Sequence, residues 1–213
     1  LSTYVAGQTT SSIINNTTNP INNLIIENVT IDGTSHSAYI YGINLYNGNN
    51  IILKNIELVV KSSTTAIENI GIQSNACSNC IFNNINATLN GSTTVTNTAL
   101  KFIDSEGIIY NPKITVNSGT TTNTCIKTVN INNTQKFIQV FNGEIRAYDN
   151  VDYSIYGDNY YTMMCSGLQI LGDIFENTTF SRLYFNSCYS FTNQNDKYYV
   201  SLLNNLGENN QLN

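Results

Sequence analysis

The sequence predicts an all-β chain wound as a right-handed parallel β-helix, a solenoid of about six coils. Three observations predict it. An apolar octet returns every 27–29 residues, an Asn holds one fixed phase of that repeat, and no segment keeps a helical period for four turns.

The octets are Leu24-Ile-Ile-Glu-Asn-Val-Thr-Ile31, Ile51-Ile-Leu-Lys-Asn-Ile-Glu-Leu58, Cys80-Ile-Phe-Asn-Asn-Ile-Asn-Ala87 and Gly107-Ile-Ile-Tyr-Asn-Pro-Lys-Ile114. Their recurring Asn stands at 28, 55, 84 and 111, spaced by 27, 29 and 27 residues. Degenerate copies follow around Phe137–Ile145 and Leu168–Ile174. Each copy has a second half: Ile40–Leu45, Ile67–Ile72, Leu100–Ser105 and Ile126–Ile131. There Ile40, Ile67, Leu100 and Ile126 align, as do Ile43, Ile70, Ile103 and Val129. These runs are short, rich in β-branched residues and bounded by Asn, Gly, Ser and Thr, which is a strand signal.

Alternation assigns the faces. Glu27, Lys54, Asn83 and Tyr110 point out, each after an inward residue, and Val29, Ile56, Ile85 and Pro112 point in. The Asn between them is read as inward too, so the chain must bend at it. Asn tolerates a left-handed φ and hydrogen-bonds its neighbours. Stacking puts Asn28, Asn55, Asn84 and Asn111 in one internal column about 4.8 Å apart. Each amide then satisfies the next, avoiding a cost of about 1–3 kcal/mol for a buried unpaired group. Six coils would make a rod of roughly 30 Å. Residues 1–23 read as a polar lead-in or N-terminal cap. Residues 24–213 read as the solenoid with degenerate C-terminal coils, closed by a strand at Tyr198–Leu203.

Composition narrows the function. Hydrophobic residues reach 41%, enough for a core, while charged residues reach only 11% and Asn alone occurs 37 times. The surface is therefore solvated by amides and hydroxyls. Net charge is −5, and nine Lys and Arg are scattered along the chain, which argues against nucleic acid as a partner. No apolar run approaches the roughly 20 residues needed to span a bilayer. The first residue is Leu1, so the chain is read as a piece of a longer protein and missing targeting signals say nothing of location.

The phrases Asn49-Asn-Ile-Ile-Leu-Lys-Asn-Ile56 and Ser78-Asn-Cys-Ile-Phe-Asn-Asn-Ile85 resemble the repeats of pectate-lyase-like β-helices. More narrowly, they resemble the Asn/Thr/Tyr-rich adhesin-like surface proteins of methanogenic archaea, over about residues 23–190. That resemblance implies a right-handed β-helix outside the cell, serving attachment or a surface layer, and it carries no catalytic residues to transfer. The composition also suits an AT-rich genome, including those of large viruses and phages whose spikes share the fold.

Chemistry-bearing residues are sparse. A glycan-cleaving β-helix needs paired carboxylates or an acid beside Arg or Lys on one outer face. Asp104 and Glu106 share a strand end and read as a solvated turn. Asp32, Asp149, Asp152 and Asp158 are scattered, Arg146 and Arg182 lack an acidic partner motif, and His36 reads as a loop residue. Cys77-Ser-Asn-Cys80 has half the spacing of a zinc site, but no second pair follows. The five cysteines are free or buried thiols, or Cys165 bridges Cys188 on the next turn. No metal or cofactor is expected. Tyr41, Glu68, Lys101 and Lys127 form an outward column in which Glu68 pairs with Lys101.

Sequons occur at Asn15, Asn16, Asn28, Asn86, Asn90, Asn132 and Asn177. Asn86, Asn90, Asn132 and Asn177 are the candidates for glycan, since Asn28 belongs to the ladder. Residues 148–161 break the repeat with five tyrosines, and read either as a cap over the last coil or as a projecting recognition loop. In the second case Tyr153, Tyr156, Asp158, Asn159, Tyr160 and Tyr161 would bind ligand. The expected function is a non-catalytic extracellular or cell-surface protein, adhesin-like or an appendage subunit. It would meet a glycan or protein surface and could self-associate. The alternatives are a viral spike and a polysaccharide lyase or hydrolase.

Overall fold

Parallel pairing between successive turns of the chain builds the whole molecule. The computed structural model describes residues 10–15, 19–35, 39–62, 68–90, 96–117, 123–147, 153–157, 160–176, 182–191 and 211–212. The early strands are β1 (Thr10–Asn15), β2 (Ile25–Ser35), β3 (Tyr39–Tyr46), β4 (Asn49–Ser62), β5 (Glu68–Asn75), β6 (Ser78–Asn90) and β7 (Thr96–Ile103). Next come β8 (Gly107–Tyr110), β9 (Lys113–Asn117), β10 (Asn123–Val129), β11 (Lys136–Phe141), β12 (Glu144–Ala147) and β13 (Tyr153–Gly157). The last are β14 (Tyr161–Ser166), β15 (Gln169–Leu171), β16 (Asp173–Glu176), β17 (Arg182–Asn186), β18 (Tyr189–Phe191) and β19 (Gln211–Leu212). No helix occurs among the described residues.

The strands form a parallel β-solenoid with two sheets. One is seven-stranded, in the order β1-β3-β5-β7-β10-β13-β16. The other is twelve-stranded: β2, β4 and β6 stack, and β6 then forks into a β8-β11-β14-β17-β19 branch and a β9-β12-β15-β18 branch. The fork is the bend. At Asn111-Pro112 the chain meets a residue with no N–H to give to a ladder, and the long strand is interrupted there. β1 pairs with β3, so coil stacking begins within the segment read as a lead-in. The closing strand expected at Tyr198–Leu203 lies outside the described residues.

The octets stack residue for residue. Ile26 pairs with Leu53, Leu53 with Phe82, and Phe82 with Ile109. The column runs on through Val140, Cys165 and Phe185. On the opposite sheet Ile43, Ile72, Leu100, Ile126 and Ile155 form a second buried file. Each such side chain removed from water contributes about 1.5–3 kcal/mol.

The bend holds further than the octets suggested. Asn28, Asn55, Asn84, Asn111, Asn142, Gly167 and Ser187 follow one another in the stack, and all have φ between 49° and 66°. Asn55 Nδ2 donates to Asn28 Oδ1 at 2.9 Å, Asn84 to Asn55 at 3.0 Å and Asn111 to Asn84 at 3.2 Å. This column lies outside, not inside as the alternation suggested: all four amides are exposed. A left-handed residue throws its side chain to the convex side of the corner, so alternation breaks one residue earlier, at Lys54-Asn55.

A buried amide ladder exists elsewhere. Asn69 and Asn97 are second in β5 and β7, Asn123 is first in β10, and all are fully buried. Asn69 Nδ2 donates to Asn97 Oδ1 at 3.0 Å, and Asn97 Nδ2 to Asn123 Oδ1 at 2.7 Å. The ladder ends because Ile40 is the register neighbour of Asn69, and Asn69 Oδ1 finds no donor.

These amides also correct the register of the second half-coils. Leu100 pairs with Ile126 and Ile103 with Val129, as aligned. Ile40 instead meets Asn69, and Ile43 meets Ile72 rather than Ile70. An apolar residue at every third position fits several phases. Stacked Asn fit only one, and so do Gly42 and Gly71: a Cβ at either would lie 2.6 Å from the carbonyl oxygen of the coil below.

Removing the middle rung of the inner ladder should therefore cost more than removing one of the outer. Asn97→Ala takes the acceptor from the buried Asn69 side-chain amide and one of two donors from Asn123 Oδ1, and is expected to lower stability by about 2–3 kcal/mol. Asn84→Ala, at the exposed corner, should lower it by about 1 kcal/mol. Urea unfolding of the two variants measures the difference.

Candidate functional site

The tyrosine-rich segment is built from β13 and the start of β14. Tyr153 and Tyr156 are both half-buried on the outer face of the seven-stranded sheet. Strand alternation alone would send them to opposite faces; an irregularity between Tyr153 and Ile155 brings both outward. Their rings meet edge to face, with centroids 5.6 Å apart. Lys127 opposes Tyr156 in the next coil and holds its ammonium 5.3 Å from that ring's centre. Tyr160 is half-buried and has φ of 60°. Asp158 and Asn159 lie outside the described residues, as do His36, Asp149, Asp152 and the sequon Asn177.

Tyr161 does not join this face. Its ring is buried inside the solenoid, where the hydroxyl accepts the Ser105 N–H at 3.0 Å and lies 3.2 Å from the Ser105 carbonyl. Proximity in sequence to outward-facing tyrosines gave no hint of this, because β14 is an inward-opening strand whose first residue satisfies a buried corner.

Three of the acidic residues are engaged by named partners. Asp104 is largely buried: Oδ1 accepts the N–H groups of Ile131 and Asn132 at 2.9 and 3.2 Å, and Oδ2 accepts the Asn132 side-chain amide at 2.8 Å. It staples the loop after β10 rather than forming an acid pair with Glu106. Glu68 receives Lys101 Nζ at 2.9 and 3.0 Å. Lys101 reaches it diagonally, because its register neighbours are Gln73 and Lys127. Glu144 pairs with Arg146 two residues on. Among the sequons, Asn86 is exposed on β6, Asn90 accepts from Asn117 at 3.2 Å, and the Asn132 amide is held by Asp104. Cys165 and Cys188 sit on neighbouring coils as free thiols, and all five cysteines are unbridged. No cluster of three or more His, Cys, Asp or Glu occurs among the described residues.

A second surface went unnoticed in the sequence. Ile25, Ile52, Ile81, Ile108, Gln139, Met164 and Tyr184 pair in register as one outward column along the twelve-stranded sheet. Ile25 is 61% exposed, Met164 46%, and Phe137 beside them 52%. Two depressions flank Phe137. One, of about 260 Å³, is bounded by Asn79, Ile81, Glu106, Ile108 and Gln139; the other, of about 410 Å³, by Gln135, Thr162, Met164 and Tyr184. Tyr110 and Phe141 stack nearby, 5.4 Å between ring centres. The signal was present: Leu24-Ile-Ile26, Ile51-Ile-Leu53, Cys80-Ile-Phe82 and Gly107-Ile-Ile109 are apolar runs, and a strand must turn the middle residue of each outward.

The two depressions of this trough have apolar walls and amide edges, with Glu106 the one carboxylate among the described residues that bound them. Such a surface suits flat, uncharged partners that stack on rings and bond to amides.

Tyr161→Phe should leave the buried Ser105 N–H without its acceptor and lower stability by about 1–3 kcal/mol. Thermal or urea melts would register the loss, and hydrogen exchange at Ser105 should quicken. Comparisons with family models, with curated proteins and with solved structures gave no match to this chain.

Proposed function

We propose that the chain is a non-catalytic, surface-displayed binding rod, adhesin-like or a subunit of an appendage, that holds a neutral glycan along its outer trough. The observation that carries this reading is the outward column from Ile25 to Tyr184, apolar but for Gln139, which runs along the solenoid axis beside exposed amides and rings. Parallel stacking repeats these groups every 4.8 Å or so, a spacing on which an extended polymer makes several similar contacts. Low charge supports an uncharged partner, since only 11% of residues are Asp, Glu, Lys or Arg.

Support for a non-catalytic role comes from the carboxylates. Asp104 spends both oxygens on the loop after β10, and Glu68 and Glu144 are held by Lys101 and Arg146. Exposure on a cell or appendage surface fits the amide-rich exterior, and Asn86 is the sequon best presented for glycosylation.

A panel of neutral and acidic oligosaccharides tests the reading. Retention of neutral glycans is expected, with no cleavage product. Phe137→Ala combined with Met164→Ala should weaken retention about tenfold or more while leaving the melting temperature near that of the parent. Loss of a dimer instead, seen by light scattering, would reassign the strip to self-association. Binding that survives the double substitution would move the site away from the trough.

A further inference from the structure

The corner leading from the seven-stranded to the twelve-stranded sheet repeats on three successive coils. Asn47, Ala76 and Asp104 open it, with φ of 52°, 52° and 47°. The next position is Gly48, then Cys77, then Ser105; the first two N–H groups are received by the side chain of the coil that follows, and the third by a tyrosine two coils on. Gly48 N–H reaches Cys77 Sγ at 3.3 Å, Cys77 N–H reaches Ser105 Oγ at 2.9 Å, and Ser105 N–H reaches Tyr161 OH at 3.0 Å. The middle coil fills this polar slot with a thiol.

A second thiol lies beside it. Cys77-Ser78-Asn79-Cys80 is bracketed by two left-handed residues, Ala76 and Asn79, and both cysteine side chains turn into the solenoid, 2% and 1% exposed. Cys77 Sγ donates to the Asn75 carbonyl at 3.3 Å and Cys80 Sγ to the Ser78 carbonyl at 3.7 Å, and Ser74 Oγ stands 3.9 Å from Cys80 Sγ. Cys80 opposes Gly107, which has no side chain to cover it, and it forms part of the floor of the 260 Å³ depression.

We propose that Cys77 and Cys80 are a dithiol that a hydroperoxide such as hydrogen peroxide oxidises to an intramolecular disulfide, locking this corner beneath the trough. Cys77, as thiolate, attacks one peroxide oxygen; an S–O bond forms, the O–O bond breaks, and the departing hydroxide takes a proton to become water. Cys80 then attacks Cys77 Sγ of the sulfenic acid. The S–S bond forms, the S–O bond breaks, and the leaving hydroxide takes the Cys80 proton as a second water. Two thiols lose two electrons and one peroxide gains them.

The assignment of roles follows from the surroundings. The hydrogen bond from Cys80 holds the Cys77 thiol down to about 6 against the opposing effect of burial, with Ser74 and the Gly48 N–H adding to it. The same bond, together with burial, pushes Cys80 up and makes it the proton donor of the pair. Burial raises Cys165 well above the ordinary range and also raises Cys188, while Cys125 donates to the Arg146 carbonyl at 3.2 Å.

The test treats the fully reduced chain with hydrogen peroxide, alkylates the remaining thiols in denaturant and maps the peptides by mass spectrometry. A disulfide joining Cys77 to Cys80, with the other three cysteines alkylated, is the expected result. Its rate should rise as pH passes through about 6 rather than near the ordinary cysteine value of about 8.5. In Cys80→Ser the reaction should stop at a sulfenic acid on Cys77 that dimedone captures. A bridge mapped between Cys165 and Cys188, or five alkylated thiols in the treated parent chain, would overturn the proposal. Both readings come from the unsubstituted protein, so a variant that folds poorly does not blur the outcome.

Discussion

In-register stacking of one coil on the next is the constraint from which every other feature descends. Each residue of a coil meets the residue of equal phase above and below, so a property repeated in sequence becomes a column in space. Backbone hydrogen bonds of the parallel ladders run along the axis, and no coil could bury its apolar face without its neighbours. The columns Leu53–Phe82–Ile109 and Ile43–Ile72–Leu100 are thus one core drawn out along a line.

The same constraint explains why Asn dominates. A side-chain amide is both donor and acceptor, so a stack of Asn satisfies itself without any charged partner. At the outer corner the residue must also accept a left-handed φ, which Asn does at less cost than other residues bearing a side chain. At the inner ladder Asn69, Asn97 and Asn123 are buried, and their mutual bonds, with the Asn117 carbonyl and the Asn97 N–H, satisfy amides that water cannot reach. One residue type solves two problems, a backbone problem outside and a polar-satisfaction problem inside.

Columns also shape the surfaces that could meet a partner. Where the outward residue of successive coils is apolar, the outside gains an apolar run, as from Ile25 to Ile108, which Gln139 interrupts before Met164 and Tyr184. Where coils depart from regularity, single side chains move: the irregularity in β13 turns Tyr153 and Tyr156 to one face, while Tyr161 is drawn into the core by the Ser105 N–H. The corner thiols belong to the same logic, since Cys77 occupies a slot that Gly48 and Ser105 fill in the adjoining coils.

The sequence by itself determined the repeat, the all-β parallel solenoid and the residue-for-residue stacking of the four octets, because Ile and Asn recur at fixed phases that only a parallel coil puts in register. It also marked the Asn28 column as a bend. Tertiary structure decided which side of the wall that bend presents, since a left-handed corner turns its side chain outward whatever the neighbouring alternation implies. It decided the register of the second half-coils, where a degenerate apolar pattern left several phases open and the Asn69–Asn97–Asn123 ladder admits one. It decided, too, the fate of Tyr161 and Asp104. Their partners lie 56 and 27 or more residues away in sequence, a separation that local pattern does not carry.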